Sequence, residues 1–178
     1  MEREALEALV KSCRRRPLWT RGPTTREVAL GRPAIERVLR HREPFLLVDE
    51  VTSVDLEQGC LAGRRRIDPG DPILAGHFPG EPVYPGVLQI EIMGQLGICL
   101  LHIHESGRHD VAPDAVARSL RAVAVRDARF LAEVKGGDDL EVLGKVVDRD
   151  ELTATVAGQI LRGETICALA ITEVYFAD

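Results

Sequence analysis

The chain has 178 residues, of which 45% are hydrophobic and 29% charged, with a net charge of −5. That size and balance describe one folded domain with a sizeable core and exclude a disordered chain. Charge is unevenly divided: residues 1–40 hold ten Lys/Arg against five Asp/Glu, and the remainder holds thirteen against twenty-three. A basic arm on an acidic body can meet an acidic partner or fold against its own body.

Residues 2–11 read as a short helix. The opening MEREALEALVKSCRRR carries acids where a secretory signal needs a basic and then an apolar stretch, so the expected location is cytoplasmic. The following RRRPLWTRGPTTRE, rich in Pro, Gly and Arg, reads as a connector. A second short helix is expected over about Pro33–Leu39.

From Pro44 the pattern turns to strand. FLLVDEVTSVD, a turn around Glu57-Gln58-Gly59, and CLAGRRRI read as a hairpin. In the run Arg64-Arg65-Arg66 successive side chains alternate faces if the segment is a strand, so only part of it can form a basic patch.

A helix is signalled at Pro85-Gly86 and runs to about Ile103, apolar on nearly every side, so it must be surrounded by protein. Gly94 and Gly97 lower its propensity and would let a strand approach closely. Its apolar run, Val87 to Ile103, is interrupted by Gln89, Glu91, Gln95 and His102 and reads as too short and too polar to cross a bilayer.

HESGRHDVAPDA reads as a polar loop. Four strands are then expected: SLRAVAVRDARF, LEVLGKVVD, ELTATVAGQIL and TICALAITEVYF, joined by Gly- and Asp-containing turns. The alternation of Thr153, Thr155, Ala157 and Gln159 with Leu152, Ala154, Val156, Gly158 and Ile160 suggests a sheet with one covered face. One buried helix with several long antiparallel strands is an α+β architecture in which the sheet wraps the helix. No internal repeat or low-complexity tract is present.

Cys13, Cys60, Cys99 and Cys167 are scattered, with no CxxC pair, and read as buried free thiols rather than a zinc site. No nucleic-acid-reading motif accompanies the basic arm. Neither a metal nor another cofactor is expected.

The residues that carry chemistry are His77, in GHFPG, and Glu91, in PGVLQIEIMGQ. An imidazole that titrates near neutrality can accept a proton, and a carboxyl on an apolar helix is desolvated, which favours its protonated form. A base and an acid together suit the addition or elimination of water. Gly86, at the helix start, offers amides without intrahelical partners and room for a carbonyl to approach. Gln95 lies one turn beyond Glu91 and can orient its carboxyl. Phe78 and Tyr84 flank the motif and can line an acyl tunnel or pack in the core. His41 reads as structural, and His102, His104 and His109 as solvated or capping residues.

The stretch GHFPGEPVYPGVLQIEIMGQ, with HREPFLLVDEV upstream and DARF…GDDL downstream, resembles the 3-hydroxyacyl-(acyl carrier protein) dehydratases of fatty-acid synthesis, the FabZ type. The likeness runs from about Pro33 to the C-terminus, which divides the chain into a basic extension, 1–32, and a dehydratase domain, 33–178. It implies a hot-dog fold, no cofactor, and dehydration of 3-hydroxyacyl thioesters to trans-2-enoyl thioesters in fatty-acid or polyketide-like biosynthesis.

It also implies that His77 and Glu91 are the catalytic pair, that the Gly86 amide polarises the thioester, and that the pair comes from two subunits of a homodimer, with a trimer of dimers as a larger assembly. The partner would be an acyl carrier protein or a CoA thioester. Glu rather than Asp at position 91 resembles the branch without isomerase activity.

The chain departs from that family where a carrier would dock. Leu131, Ala132 and Glu133 stand where a basic pair and Pro are usual, and Asp148-Arg149-Asp150-Glu151 is an acidic turn. Arg126, Arg129 or the basic arm would have to substitute. These departures lean toward a specialised route. Two rival readings are a thioesterase or acyl-CoA hydratase of the same fold, and a non-catalytic acyl-binding or regulatory protein.

Overall fold

The structure, a computed structural model, describes residues 3–177. Its centre is the helix α4, Gly86–Ser106, around which a sheet of seven strands curls. The first helix, α1, spans Arg3–Cys13; α2 is Arg32–Val38 and α3 is Pro72–Gly76. The strands are β1 Arg26–Gly31, β2 Glu50–Asp55, β3 Cys60–Arg66, β4 Leu120–Phe130, β5 Asp139–Arg149, β6 Thr153–Arg162 and β7 Thr165–Phe176. Their order across the sheet is β1-β2-β3-β5-β6-β7-β4, every neighbouring pair antiparallel. The α+β arrangement expected from the alternation of apolar residues is the one adopted.

Ile92, Leu96, Leu100 and Ile103 of α4 are buried to within about a hundredth of their surface, against Leu61, Val142 and Ile160 of the sheet. Glycines let the layers meet. A methyl at Gly158 of β6 would stand 2.6 Å from the Met93 Cβ, and one at Gly97 would stand 3.2 Å from Val156. Gly94, expected to serve the same purpose, faces open space instead. It lies with Val87, Ile90, Glu91 and Ile98 on the side of α4 that the chain's own sheet leaves partly uncovered.

Several elements differ from their sequence expectation. The strand anticipated from Pro44 starts only at Glu50, because Phe45 O and Leu47 N bond the Gln95 side chain rather than a neighbouring strand. An unexpected strand, β1, begins in the last two residues of the connector, pairs with β2 and forms one edge of the sheet. Helix α4 reaches Ser106, so His102 and His104 lie on it, and Gly107 ends it in the left-handed region at φ 63°. At 21 residues α4 is, by length and composition, the one helix among the described residues able to cross a membrane. Its burial inside the sheet explains that apolarity.

The expected one-sided sheet is covered on both faces at its middle. The N-terminal arm lies on the outer face, where Val10, Cys13, Leu18 and Trp19 join Cys60, Ala62, Leu143, Ala157, Leu161, Leu169 and Ile171 in a second apolar cluster. Gln159, fully buried, anchors it: its Nε2 donates to Cys13 O at 2.6 Å and Arg16 O at 2.9 Å, and its Oε1 accepts from Leu18 N at 2.7 Å. The initial helix begins within the described residues at Arg3; Glu2 of the anticipated 2–11 helix lies outside them.

All four cysteines are buried and unpaired. Burial pushes the Cys60 and Cys99 thiols up to about 12. In the arginine run, Arg65 turns inward to Asp49 at 3.1 Å while Arg64 and Arg66 face solvent.

Candidate active site

His77 is positioned by a single turn of helix and a tight loop. Asp71 caps α3 by accepting from Ile73 N at 2.9 Å, Pro72 occupies the first helical position, and His77 is the residue that ends it. Val83 N then donates to His77 O at 2.8 Å, which folds residues 77–83 back on themselves. Gly80, at φ 87°, makes the turn.

Within this loop the His77 Nδ1 lies 2.8 Å from Val83 O. A carbonyl oxygen can only accept, so Nδ1 carries a proton, and in the neutral ring the lone pair is on Nε2. Phe78 stacks on the ring, centroids 4.1 Å apart. Phe78 is otherwise 58% exposed, so within one chain it does not line an enclosed tunnel.

The loop leads to the start of α4. Tyr84 N donates to Val134 O at 2.7 Å, and the Tyr84 ring is buried in the core at 1% exposure. Leu88 N and Gln89 N both turn back to Pro85 O. The amides of Gly86 and Val87 are then left without intrahelical acceptors, at the end of a helix whose dipole favours negative charge. Phe130, the last residue of β4, lies over Gly86: a methyl there would stand 2.8 Å from its Cε1 and Cζ. The sequence reading used Phe130 only as part of a motif, and nothing local marked it as the cover of Gly86.

Glu91 sits just over one turn along α4. The side-chain amide of Gln95 is fully used around it: Nε2 donates to Glu91 Oε1 at 2.9 Å and to Phe45 O at 2.8 Å, while Oε1 accepts from Leu47 N at 2.8 Å. His41 Nε2 lies 3.3 Å from the same Glu91 Oε1. Both contacts fall on Oε1, so Oε2 remains free to face a substrate.

The sequence reading gave His41 a structural role; its contact with Glu91 arises only because α2 leads residues 39–47 across α4. The desolvation expected for Glu91 is incomplete, since 32% of its side chain is exposed in the single chain. Among the described residues no ion pair or hydrogen bond joins His77 to Glu91, and none forms a metal-binding cluster.

Of the proposed carrier contacts, Arg126 is paired with Glu173 at 2.7 Å and Arg129 with Asp127 at 2.8 Å, both about half exposed. His102 and His104 are half-buried on α4, and burial lowers the basicity of His102.

The FabA-like domain family matches residues 39–170. A 3-hydroxyacyl-[acyl-carrier-protein] dehydratase FabZ of Protochlamydia amoebophila is 33% identical over 150 residues, covering 84% of this chain and 92% of the relative. The protein of the same name from Sulfurimonas denitrificans is 39% identical over 107 residues, covering 60% and 70%. Among solved structures, the dehydratase heterocomplex ApeI:P from Xenorhabdus doucetiae superposes with a TM-score of 0.61 at 19% identity, covering 82% of this chain and 91% of that one. A putative thioesterase from Ralstonia eutropha JMP134 gives a TM-score of 0.51 at 15% identity, covering 70% and 82%.

Proposed function

The chain belongs to the FabA-like family as a 3-hydroxyacyl-(acyl carrier protein) dehydratase of the FabZ type with the hot-dog fold, and from that premise we propose how its residues remove water. His77 Nε2 takes the proton from the carbon beside the thioester carbonyl. Glu91 Oε2 gives its proton to the departing hydroxyl, the C–O bond breaks, and the electrons of the C–H bond form the double bond. The Gly86 amide donates to the thioester oxygen as negative charge builds there. Gln95 and His41 hold the other carboxyl oxygen.

The observation that carries this reading is the pinned ring of His77. Its Nδ1–H is committed to Val83 O, which leaves Nε2 as the nitrogen available to take a proton. A merely structural histidine in a solvated loop needs no such fixed tautomer.

The two groups meet, on this reading, across a homodimer. β4 is eleven residues long, pairs only with β7, and exposes Val123, Val125 and Phe130 by more than half. A long apolar edge of this kind calls for another strand. A second copy paired along β4 would bring its own α4 toward the His77 loop and cover the open side that holds Val87, Glu91 and Gly94. That cover would remove Glu91 from solvent, as a carboxyl that must keep its proton requires. The division expected at 32/33 moves toward the N-terminus, since β1 belongs to the sheet: the catalytic domain includes residues 26–31 and the basic extension lies before them, in a cytoplasmic enzyme that acts on carrier-bound substrates of fatty-acid synthesis.

Hydration of a crotonyl thioester, followed by loss of its ultraviolet absorbance, tests the reading in the reverse direction. Wild-type enzyme should be active without added cofactor, and His77→Ala and Glu91→Gln should each lose about a thousandfold in rate while remaining folded dimers. Near-normal turnover in either variant would remove the mechanism, and release of free thiol would point to a thioesterase instead.

A further inference from the structure

The arm's position on the outer face creates a groove between α1 and the ends of β4 and β7, about 730 Å³ in volume. Its floor is apolar, with Leu6 and Val10 from the helix and Leu131 and Ile166 from the sheet, and Lys11, Arg14 and Arg15 line its side. The acids around it are largely neutralised: Glu7 is paired with Arg3 at 2.9 Å and Asp127 with Arg129 at 2.8 Å, leaving Glu164. Lys11, Arg14, Arg15 and the adjacent Arg16 make no ion pair among the described residues.

We propose that this groove is the docking surface for the acidic carrier protein, and that the N-terminal arm supplies the positive charge that the catalytic domain lacks. The proposal rests on the dehydratase reading and assigns its partner a place. Residues 41–178 hold thirteen Lys/Arg against twenty-three Asp/Glu, so most of the body repels an acidic protein. The competing groove beside the His77 loop carries Asp71, Glu81 and Glu133 against Lys135, which is itself paired with Glu133 at 3.0 Å.

Placement supports the same choice. Leu131 in the groove is the next residue after Phe130, which lies over Gly86. A carrier seated there holds its acyl group on a flexible prosthetic arm that has only to pass the end of β4 to reach the Gly86 amide. The surface is also rigid before binding, because Gln159 and the buried Leu18 and Trp19 fix the arm to the sheet. The three cations lie outside residues 39–170, the region that the family matches.

The test is the full chain carrying Lys11→Glu, Arg14→Glu and Arg15→Glu together, assayed with an enoyl group on purified carrier protein and on pantetheine alone. Lys11 on α1 and Arg14 and Arg15 in the turn that follows it are exposed, so their substitution leaves the fold intact, as circular dichroism and Tm would verify. The expected result is a KM for the carrier form raised at least about tenfold, with a salt dependence weaker than that of the parent, and turnover of the pantetheine form within about twofold of it. An unchanged KM for the carrier form, or an equal loss on both forms, would overturn the docking surface. A parent chain inactive on both forms would instead overturn the dehydratase reading itself.

Discussion

The side chain of Gln95 holds Glu91 by one oxygen, at 2.9 Å, and with its two remaining hydrogen bonds ties the 45–47 segment to the same helix. A residue that orients the proposed acid is thus also a structural rivet, and the two roles can be separated by experiment. Gln95→Ala frees Glu91 to rotate and strips Leu47 N and Phe45 O of their partners. We expect kcat for crotonyl thioester hydration to fall about tenfold or more, and stability to drop by about 2 kcal/mol, since one buried and one partly buried main-chain group lose their bonds. His41→Ala, which removes the contact with Glu91 and a ring contact with Phe45 but no main-chain hydrogen bond of the 45–47 segment, should lower kcat with a smaller change in the denaturant midpoint. Both are read from steady-state rates and urea unfolding.

Asp55 predicts an acid limit to stability. It is fully buried at the end of β2; burial alone would raise its pKa, but bonds from Gln58 N, Thr24, Thr25 and the Gln58 amide outweigh this and lower it to about 2. A carboxyl more acidic when folded than when unfolded contributes stability that is fully present above the ordinary carboxylate value near 4 and is lost as pH falls toward about 2. Unfolding midpoints measured from pH 5 to 2 should decline in the wild-type protein, and Asp55→Asn, already weaker at pH 7, should show a shallower decline.

Gly158 should refuse any side chain. Gly158→Ala places a methyl 2.6 Å from the Met93 Cβ, a contact that only a shift of β6 away from α4 can relieve. The expected cost is about 2 kcal/mol, seen as a lower Tm with no new cavity. Gly94→Ala meets nothing within 4 Å in the single chain and should leave monomer stability unchanged or slightly improved by helix propensity.

The thiols should be silent in the native protein. All four are buried, and burial raises Cys13, Cys60, Cys99 and Cys167 alike, so the nucleophilic thiolate is scarce at neutral pH. Iodoacetamide should label none at pH 7.5 and all four after unfolding in guanidinium, as intact mass would show. Labelling of Cys13 or Cys60 in the folded state would mean that the arm, which carries Cys13 and packs with Cys60 in the outer cluster, opens readily.

The order of helix and strands was legible because local patterns report burial. The apolarity on nearly every side of residues 87–103 called for a helix enclosed by protein, and the strand-like segments after it, with the alternation over residues 152–160, called for a sheet. GHFPG and PGVLQIE likewise singled out His77, Gly86 and Glu91 because the proposed catalytic groups lie in short continuous motifs. β1 escaped notice since REVALG has neither a long apolar run nor clean alternation; its pairing with β2, and not its composition, makes it a strand.

Sequence by itself settled which side chains can carry chemistry and which segments must be covered, since both depend on residue type and spacing. Tertiary structure alone decided what covers them. Gln159 reads as an outward-facing polar residue of β6 until the arm returns 141 residues distant to bond it, and His41 reads as structural until the chain lays it against Glu91. Such contacts are set by chain crossings whose register depends on packing across the whole sheet, and no local pattern encodes them.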